Sequence, residues 1–289
     1  GAKLPVIALF AGAFFGDATW VGTLMYFVGI VLIFLCALLI NGITGHKARK
    51  SFFIMELPEY KVPSVKRAAI SMCSRGWAYI VKAATIILLC NTAVQIMQSF
   101  TWSFTVAETA SESILASIAS PFAYVLVPIV GVASWQLAAA AVTGFIAKEN
   151  VVGTLAVCFV GLEHLIDAES LEMVGGGGEV AAIMAITKVA ALAYLMFNLF
   201  SPPCFAAIGA MNAEIKSKKW LFAGIGLQLG VGYSVGFLVF FFGTLFTGGS
   251  FGQIWMPILG WIITLAIVAI FTAMIIRKNQ QLKVECARG

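Results

Sequence analysis

The chain has 289 residues, 61% of them hydrophobic and 11% charged, with a formal net charge of +5 and a mean hydropathy of +0.99. A soluble domain carries about 45–50% apolar and about 25% charged residues and needs a polar exterior. This composition excludes such a domain and points to an all-α, polytopic transmembrane helix bundle. The positive charge is spread over short loops without a basic, aromatic-interleaved run, which argues against nucleic acid as a partner.

In chain order, residues 4–15 are apolar but too short to cross alone, and read as the tail of a helix that begins earlier. The opening Gly1-Ala2-Lys3-Leu4-Pro5, without Met or a basic leader, suggests a piece of a longer protein. Crossings of roughly 20 apolar residues are expected at 20–40, 77–96, 180–200, 221–246 and 254–276. Between the second and third, residues 121–160 are apolar but interrupted by Pro128, by 131–134 and by Lys148-Glu149-Asn150. That is the pattern of discontinuous or re-entrant helices, tolerated only where they line protein or a wet cavity.

Loop charges set the orientation. Lys47, Arg49, Lys50, Lys61, Lys66 and Arg67 in one loop, Lys216, Lys218 and Lys219 in another, and Arg277, Lys278, Lys283 and Arg288 in the tail place these regions in the cytoplasm. Loops 99–120 and 161–179 lack Lys and Arg and fall outside. Segment 121–160 therefore crosses an even number of times, as two crossings or as a re-entrant excursion. Pro63 suits the start of a helix over 64–78 that lies at the interface. The glycine run 175–178 has no following Gly-Lys-Ser/Thr, so it is a flexible external loop and not a phosphate loop.

Ionisable and polar residues inside apolar segments mark candidate sites, because a charge at a helix centre costs roughly 2.5–3.5 kcal/mol on the insertion scale. Lys148 and Glu149 are neighbours and cannot pair on one helix. They are either exposed at a helix break, where they bind an ion or a second domain, or both in water in a short turn. Ser201-Pro202-Pro203-Cys204 ends one helix and starts another. A thiol there is placed for a soft or intermediate metal, against the commoner fate of an inert cysteine between helices. Lys188 is expected inside a crossing, about two turns from its outer end. Asn91 and Gln95, one turn apart, share a face and are pathway candidates, while Asn198 and Gln228 suit interhelical hydrogen bonds. Gly-x-x-x-Gly spacing at Gly226/Gly230 and Gly232/Gly236 predicts close helix approach. The six cysteines show no paired spacing, and His46 and His164 lie in loops on opposite sides. No nucleophile–base set or His-Glu-x-x-His motif is present, so an enzyme is not expected.

Met55-Glu56-Leu57-Pro58-Glu59-Tyr60, Lys82-Ala83-Ala84-Thr85-Ile86-Ile87-Leu88, Thr143-Gly144-Phe145-Ile146-Ala147-Lys148-Glu149 and Pro203-Cys204 occur in that order. Together they resemble the ferrous iron transport protein B family over nearly the whole chain. The opening Gly1-Ala2-Lys3-Leu4-Pro5-Val6 looks like the end of that family's first Gate motif. The resemblance implies the membrane part of a GTP-dependent importer of Fe(II) in the bacterial inner membrane. It implies four parts: the end of the first Gate repeat and a following helix (1–45), a cytoplasmic linker with an interfacial helix (46–76), the second Gate repeat (77–214), and a C-terminal helix pair with a cytoplasmic tail (215–289).

By position, Cys204 matches the cysteine of the second Gate and Lys148-Glu149 its broken-helix element, making Cys204 and Glu149 transient Fe(II) ligands. Ser201-Pro202-Pro203-Cys204-Phe205-Ala206-Ala207 keeps the cysteine but lacks the threonine of the family's usual Val-Pro-Cys-Val-Ala-Thr. Fe(II) is implied as cargo with no stably bound cofactor, and GTP and Mg belong to a cytoplasmic GTPase domain upstream. That domain, the lipid bilayer, a small cytoplasmic accessory protein and a second copy of the chain are the implied partners. The alternative is another Gate-type transporter, nucleoside-type or spore-maturation-like, that uses no metal.

Overall fold

The computed structural model describes residues 3–16, 19–44, 64–107, 109–160, 184–215, 217–249, 255, 258–266, 269 and 273. The basic stretch 46–63, the glycine run 175–178, Lys216, and all but twelve residues of the crossing expected at 254–276 lie outside the described residues. The helices are α1 (Leu4–Phe15), α2 (Thr19–Thr44), α3 (Val65–Ser99), α4 (Ile114–Val130), α5 (Trp135–Ile146), α6 (Asn150–Leu155), α7 (Lys188–Phe200), α8 (Phe205–Ile215) and α9 (Lys218–Thr247). Among the described residues the only β pairing is an isolated bridge between Phe100 and Val106. The expected helical membrane bundle is the fold observed.

Among the described residues three helical stretches are long and apolar enough to cross a membrane: Trp20–Asn41, Lys188–Ile215 and Lys218–Thr247. α2 leaves most of its apolar surface uncovered by protein, with Tyr26, Phe27, Ile33 and Phe34 all exposed. In water such a helix would be an aggregation site; lipid tails cover it at no cost. α3 carries the segments expected at 64–78 and 77–96 as one uninterrupted helix of 35 residues. At 1.5 Å per residue it spans about 52 Å, well beyond a hydrocarbon core of about 30 Å. Ser64 caps its start, its hydroxyl accepting from the Arg67 amide.

The interruptions in 121–160 become a folded-back unit. Ser113 caps α4, which contains both Pro121 and Pro128 and ends at Gly131 in the left-handed region (φ +83°). A β-carbon on Gly131 would meet Phe240 at 2.8 Å, so the turn needs glycine twice, for conformation and for space. Ser134 then caps α5, and α4 and α5 meet at 100°, the bend of a broken span or a re-entrant loop. α5 stops at Ala147, whose backbone is extended. α6 follows after Lys148 and Glu149 and passes into a π-helical turn, Ala156–Val160.

α7 is the centre of the packing. Ala191, Ala193 and Tyr194 are fully buried, and α7 lies against α1, α4 and α9. Short α1 is no loose tail: Leu9 and Phe10 are fully buried, and Phe10 packs on Tyr194 with ring centroids 5.6 Å apart. The Tyr194 hydroxyl, which needs a partner when buried, donates to the Leu137 carbonyl of α5 at 2.7 Å. α9 approaches α7 through glycine. β-Carbons on Gly236 and Gly232 would lie 3.1 Å from the Ala193 oxygen and 2.8 Å from the Ser201 nitrogen. The Gly232/Gly236 spacing is thus a close contact, whereas Gly226 and Gly230 have nothing within 4 Å.

Candidate functional site: the break between α7 and α8

The site begins with two missing hydrogen-bond donors. In a continuous helix the amides of residues 202 and 203 would bond to the carbonyls of Asn198 and Leu199. Pro202 and Pro203 have no N–H. The last helical bond of α7 runs from the Ser201 amide to the Phe197 oxygen at 2.9 Å, and bonding resumes where Ile208 donates to the Cys204 oxygen at 3.0 Å. The Asn198 and Leu199 carbonyls are left open at the negative end of the helix dipole.

Two lysines from elsewhere in the chain fill the gap. The Lys148 ammonium donates to the Asn198 carbonyl at 3.1 Å and to the Ser201 hydroxyl at 2.6 Å. Ser201 in turn donates to the Asn198 carbonyl at 2.9 Å. The Lys3 ammonium donates to the Leu199 carbonyl. Lys148 is buried at 5% exposure and also lies 5.4 Å over the Phe145 ring. Its hydrogen-bond partners are oxygen dipoles, which suit a cation at a helix C-terminus. Cys204, at the same break, is half-buried. A small cleft beside the lysines is lined by Lys3, Val6, Ile7, Lys148, Val151 and Asn198.

The expected site residues divide. Lys148 and Cys204 come together at the break, so the Lys148 charge is in neither water nor an exposed turn. Glu149, one residue on, is exposed. Lys188 is the first residue of α7, exposed, behind the capping hydroxyl of Thr187, so it stands at the end of the candidate span and not two turns inside a helix. The helix starts at a cap later than the hydrophobic run suggests. Asn91 accepts from the Asn150 amide at 2.8 Å, tying α3 to the start of α6, and Gln95 is exposed. One helical turn further, Gln98 donates to Thr154 at 3.2 Å, and Thr154 shares a 2.9 Å hydrogen bond with Thr143. This chain from α3 through α6 to α5 was missed in the sequence, as were Ser201 and Lys3. A Pro-Pro pair at a helix end does signal two orphan carbonyls that need donors, and lysines in apolar surroundings are suitable ones.

Among the described residues no group of three or more His, Cys, Asp or Glu side chains could hold a metal. What the break holds is a mixed set of carbonyls, a hydroxyl and a thiol, the oxygens engaged by Lys148 and Lys3.

Two family models match the chain: "Ferrous iron transport protein B C terminus" over residues 23–75 and "Nucleoside recognition" over residues 80–218, which contains the break. A Staphylococcus aureus protein named "Fe(2+) transporter FeoB" is 30% identical over 247 residues, covering 85% of this chain and 35% of the relative. A Salmonella typhi protein of the same name is 29% identical over 282 residues, covering 83% and 36%. The chain thus spans about a third of the length of these curated relatives. No solved structure matches it. On the two models in sequence and relatives that align with most of the chain, it belongs to the ferrous iron transport protein B family, as part of the membrane region.

Proposed function

We propose that the chain is the C-terminal membrane portion of a GTP-dependent importer that moves Fe(II) across a bacterial inner membrane. The observation that carries this reading is the α7–α8 break, where a thiol stands beside carbonyls released by two prolines inside the segment matched as Gate. Fe(II) is of intermediate softness and accepts mixed sulfur and oxygen donors. A pathway needs ligands that bind well enough to admit the ion and weakly enough to release it. Cys204 supplies the soft donor, and Glu149, exposed at the neighbouring break, attracts the dication. Asn91 and Gln95 border the approach on α3. The GTPase domain of the full-length protein supplies the energy from the cytoplasm, where the basic loops and the C-terminus face.

The test is anaerobic Fe(II) uptake by cells carrying Cys204→Ser or Glu149→Gln in the full-length protein. Uptake falls in both, with membrane levels of protein unchanged; normal uptake in both removes these residues from the mechanism. The name of the Gate model, "Nucleoside recognition", favours one second reading, a nucleoside-type carrier. Under that reading the protein binds nucleosides and is indifferent to Cys204.

A further inference from the structure

We propose that the Lys148 ammonium is a tethered cation occupying an oxygen-lined divalent-cation site at the end of α7, and that cargo binds there by displacing it. This rests on the reading of the break as the place where cargo passes. The site's donors are the Asn198 carbonyl and the Ser201 hydroxyl, which Lys148 now engages, while Lys3 holds the neighbouring Leu199 carbonyl. Cys204 adds its thiol at the same break.

A further oxygen belongs to this level of the bundle. Among the described residues the buried Gln228 side-chain oxygen has no hydrogen-bond partner, which calls for an explanation. On α9, Gly224, Gln228 and Gly232 succeed one another at turn spacing on one face. Gly232 lies against Phe200 and Ser201, and Gly224 against Met211. Gln228 therefore faces the stretch between Ser201 and Met211, which holds Pro202, Pro203 and Cys204. An unpaired amide oxygen at that depth is a spare donor for a cation.

Exclusivity follows from charge. An ammonium and a dication cannot share one set of carbonyls in a region of low dielectric, because their repulsion is poorly screened there. Lys148 is carried by the α5–α6 break, a turn held by hydrogen bonds from the Ala147 amide to Thr143 and from the Asn150 and Val151 amides to the Ala147 and Lys148 carbonyls, so displacement is a movement of its long side chain. Binding of the dication would thus release Lys148 from α7 and uncouple the two broken elements. The apparent affinity of the site is its intrinsic affinity multiplied by the fraction of molecules in which it is unplugged.

The probe is Co(II), titrated by absorbance into purified full-length protein, in the parent and in Lys148→Met and Lys148→Arg. Lys148→Met should bind Co(II) about tenfold tighter, as expected when a plug present in about 90% of molecules is removed. Lys148→Arg, which keeps a cation there, should bind no more tightly than the parent. Should Lys148→Met fail to fold, the parent alone suffices: saturating Co(II) should raise the rate at which a small amine-directed reagent modifies Lys148, read by mass spectrometry. Co(II) binding that depends on Cys204 but neither tightens in Lys148→Met nor exposes Lys148 overturns the plug and leaves the cargo reading standing. No Co(II) binding by the parent or by folded Lys148→Met overturns both.

Discussion

Gly232→Ala is the sharpest structural perturbation available at the break. The added methyl would lie 2.8 Å from the Ser201 nitrogen, 2.9 Å from the Phe200 carbonyl carbon and 3.1 Å from its oxygen. All three are backbone atoms, so no side-chain rotation relieves the contact, and α9 must move away from α7. Overpacking of this kind costs about 1–3 kcal/mol. Gly230→Ala is the internal control, since its methyl meets nothing within 4 Å. In a helix interior, replacing glycine by alanine is otherwise worth up to about 1 kcal/mol in favour of alanine. The assay is thermal unfolding of the purified full-length protein in detergent, read by intrinsic fluorescence, with Cys204 labelling as a local probe. Gly232→Ala should lower the midpoint and speed labelling, while Gly230→Ala leaves both at or above the parent. Equal midpoints and equal labelling in the two variants would refute the close approach of α9 to the break.

Thr154→Val removes the middle of the chain from Gln98 to Thr143, while the Thr143 hydroxyl keeps its bonds to the Ala139 and Ala140 carbonyls. It should cost about 0.5–1.5 kcal/mol, the range for a lost hydrogen bond, seen as a lower thermal midpoint. Tyr194→Phe deletes one buried hydrogen bond, to Leu137, and should cost about 0.5–1.5 kcal/mol without altering uptake. Lys188→Gln should be within about 0.5 kcal/mol of the parent in stability, because the residue is exposed and a positive charge at a helix N-terminus opposes the dipole; a large loss would show that this lysine is engaged after all.

Much of the bundle was legible because lipid demands long apolar runs and intrasegment hydrogen bonding. The crossing at 20–40 and the one at 221–246 lie within α2 and α9. The break before Cys204 was legible for a chemical reason, two prolines in succession. What joins the breaks was not. Lys148 meets Ser201 across 53 residues and Lys3 meets Leu199 across 196, and no local pattern encodes either pairing. Lys148 and Glu149 look equivalent in the sequence, yet one is buried against α7 and the other exposed, since the extended backbone at Ala147 sends neighbours to different sides. Lys188 was misplaced because hydrophobicity continues upstream of the Thr187 cap, and a cap sets the helix start where hydropathy does not.

The proline-released carbonyls beside Cys204 are proposed as a station for Fe(II). The most direct measurement is anaerobic Fe(II) uptake by the full-length protein carrying Pro202→Ala and Pro203→Ala together. Those changes restore two amides that can bond to Asn198 and Leu199, closing the oxygens while leaving Cys204 in the chain. The double variant should be present in the membrane in normal amounts, with a thermal midpoint at or above the parent and uptake reduced to the level of cells lacking the transporter. Parental uptake through the joined helix would contradict it.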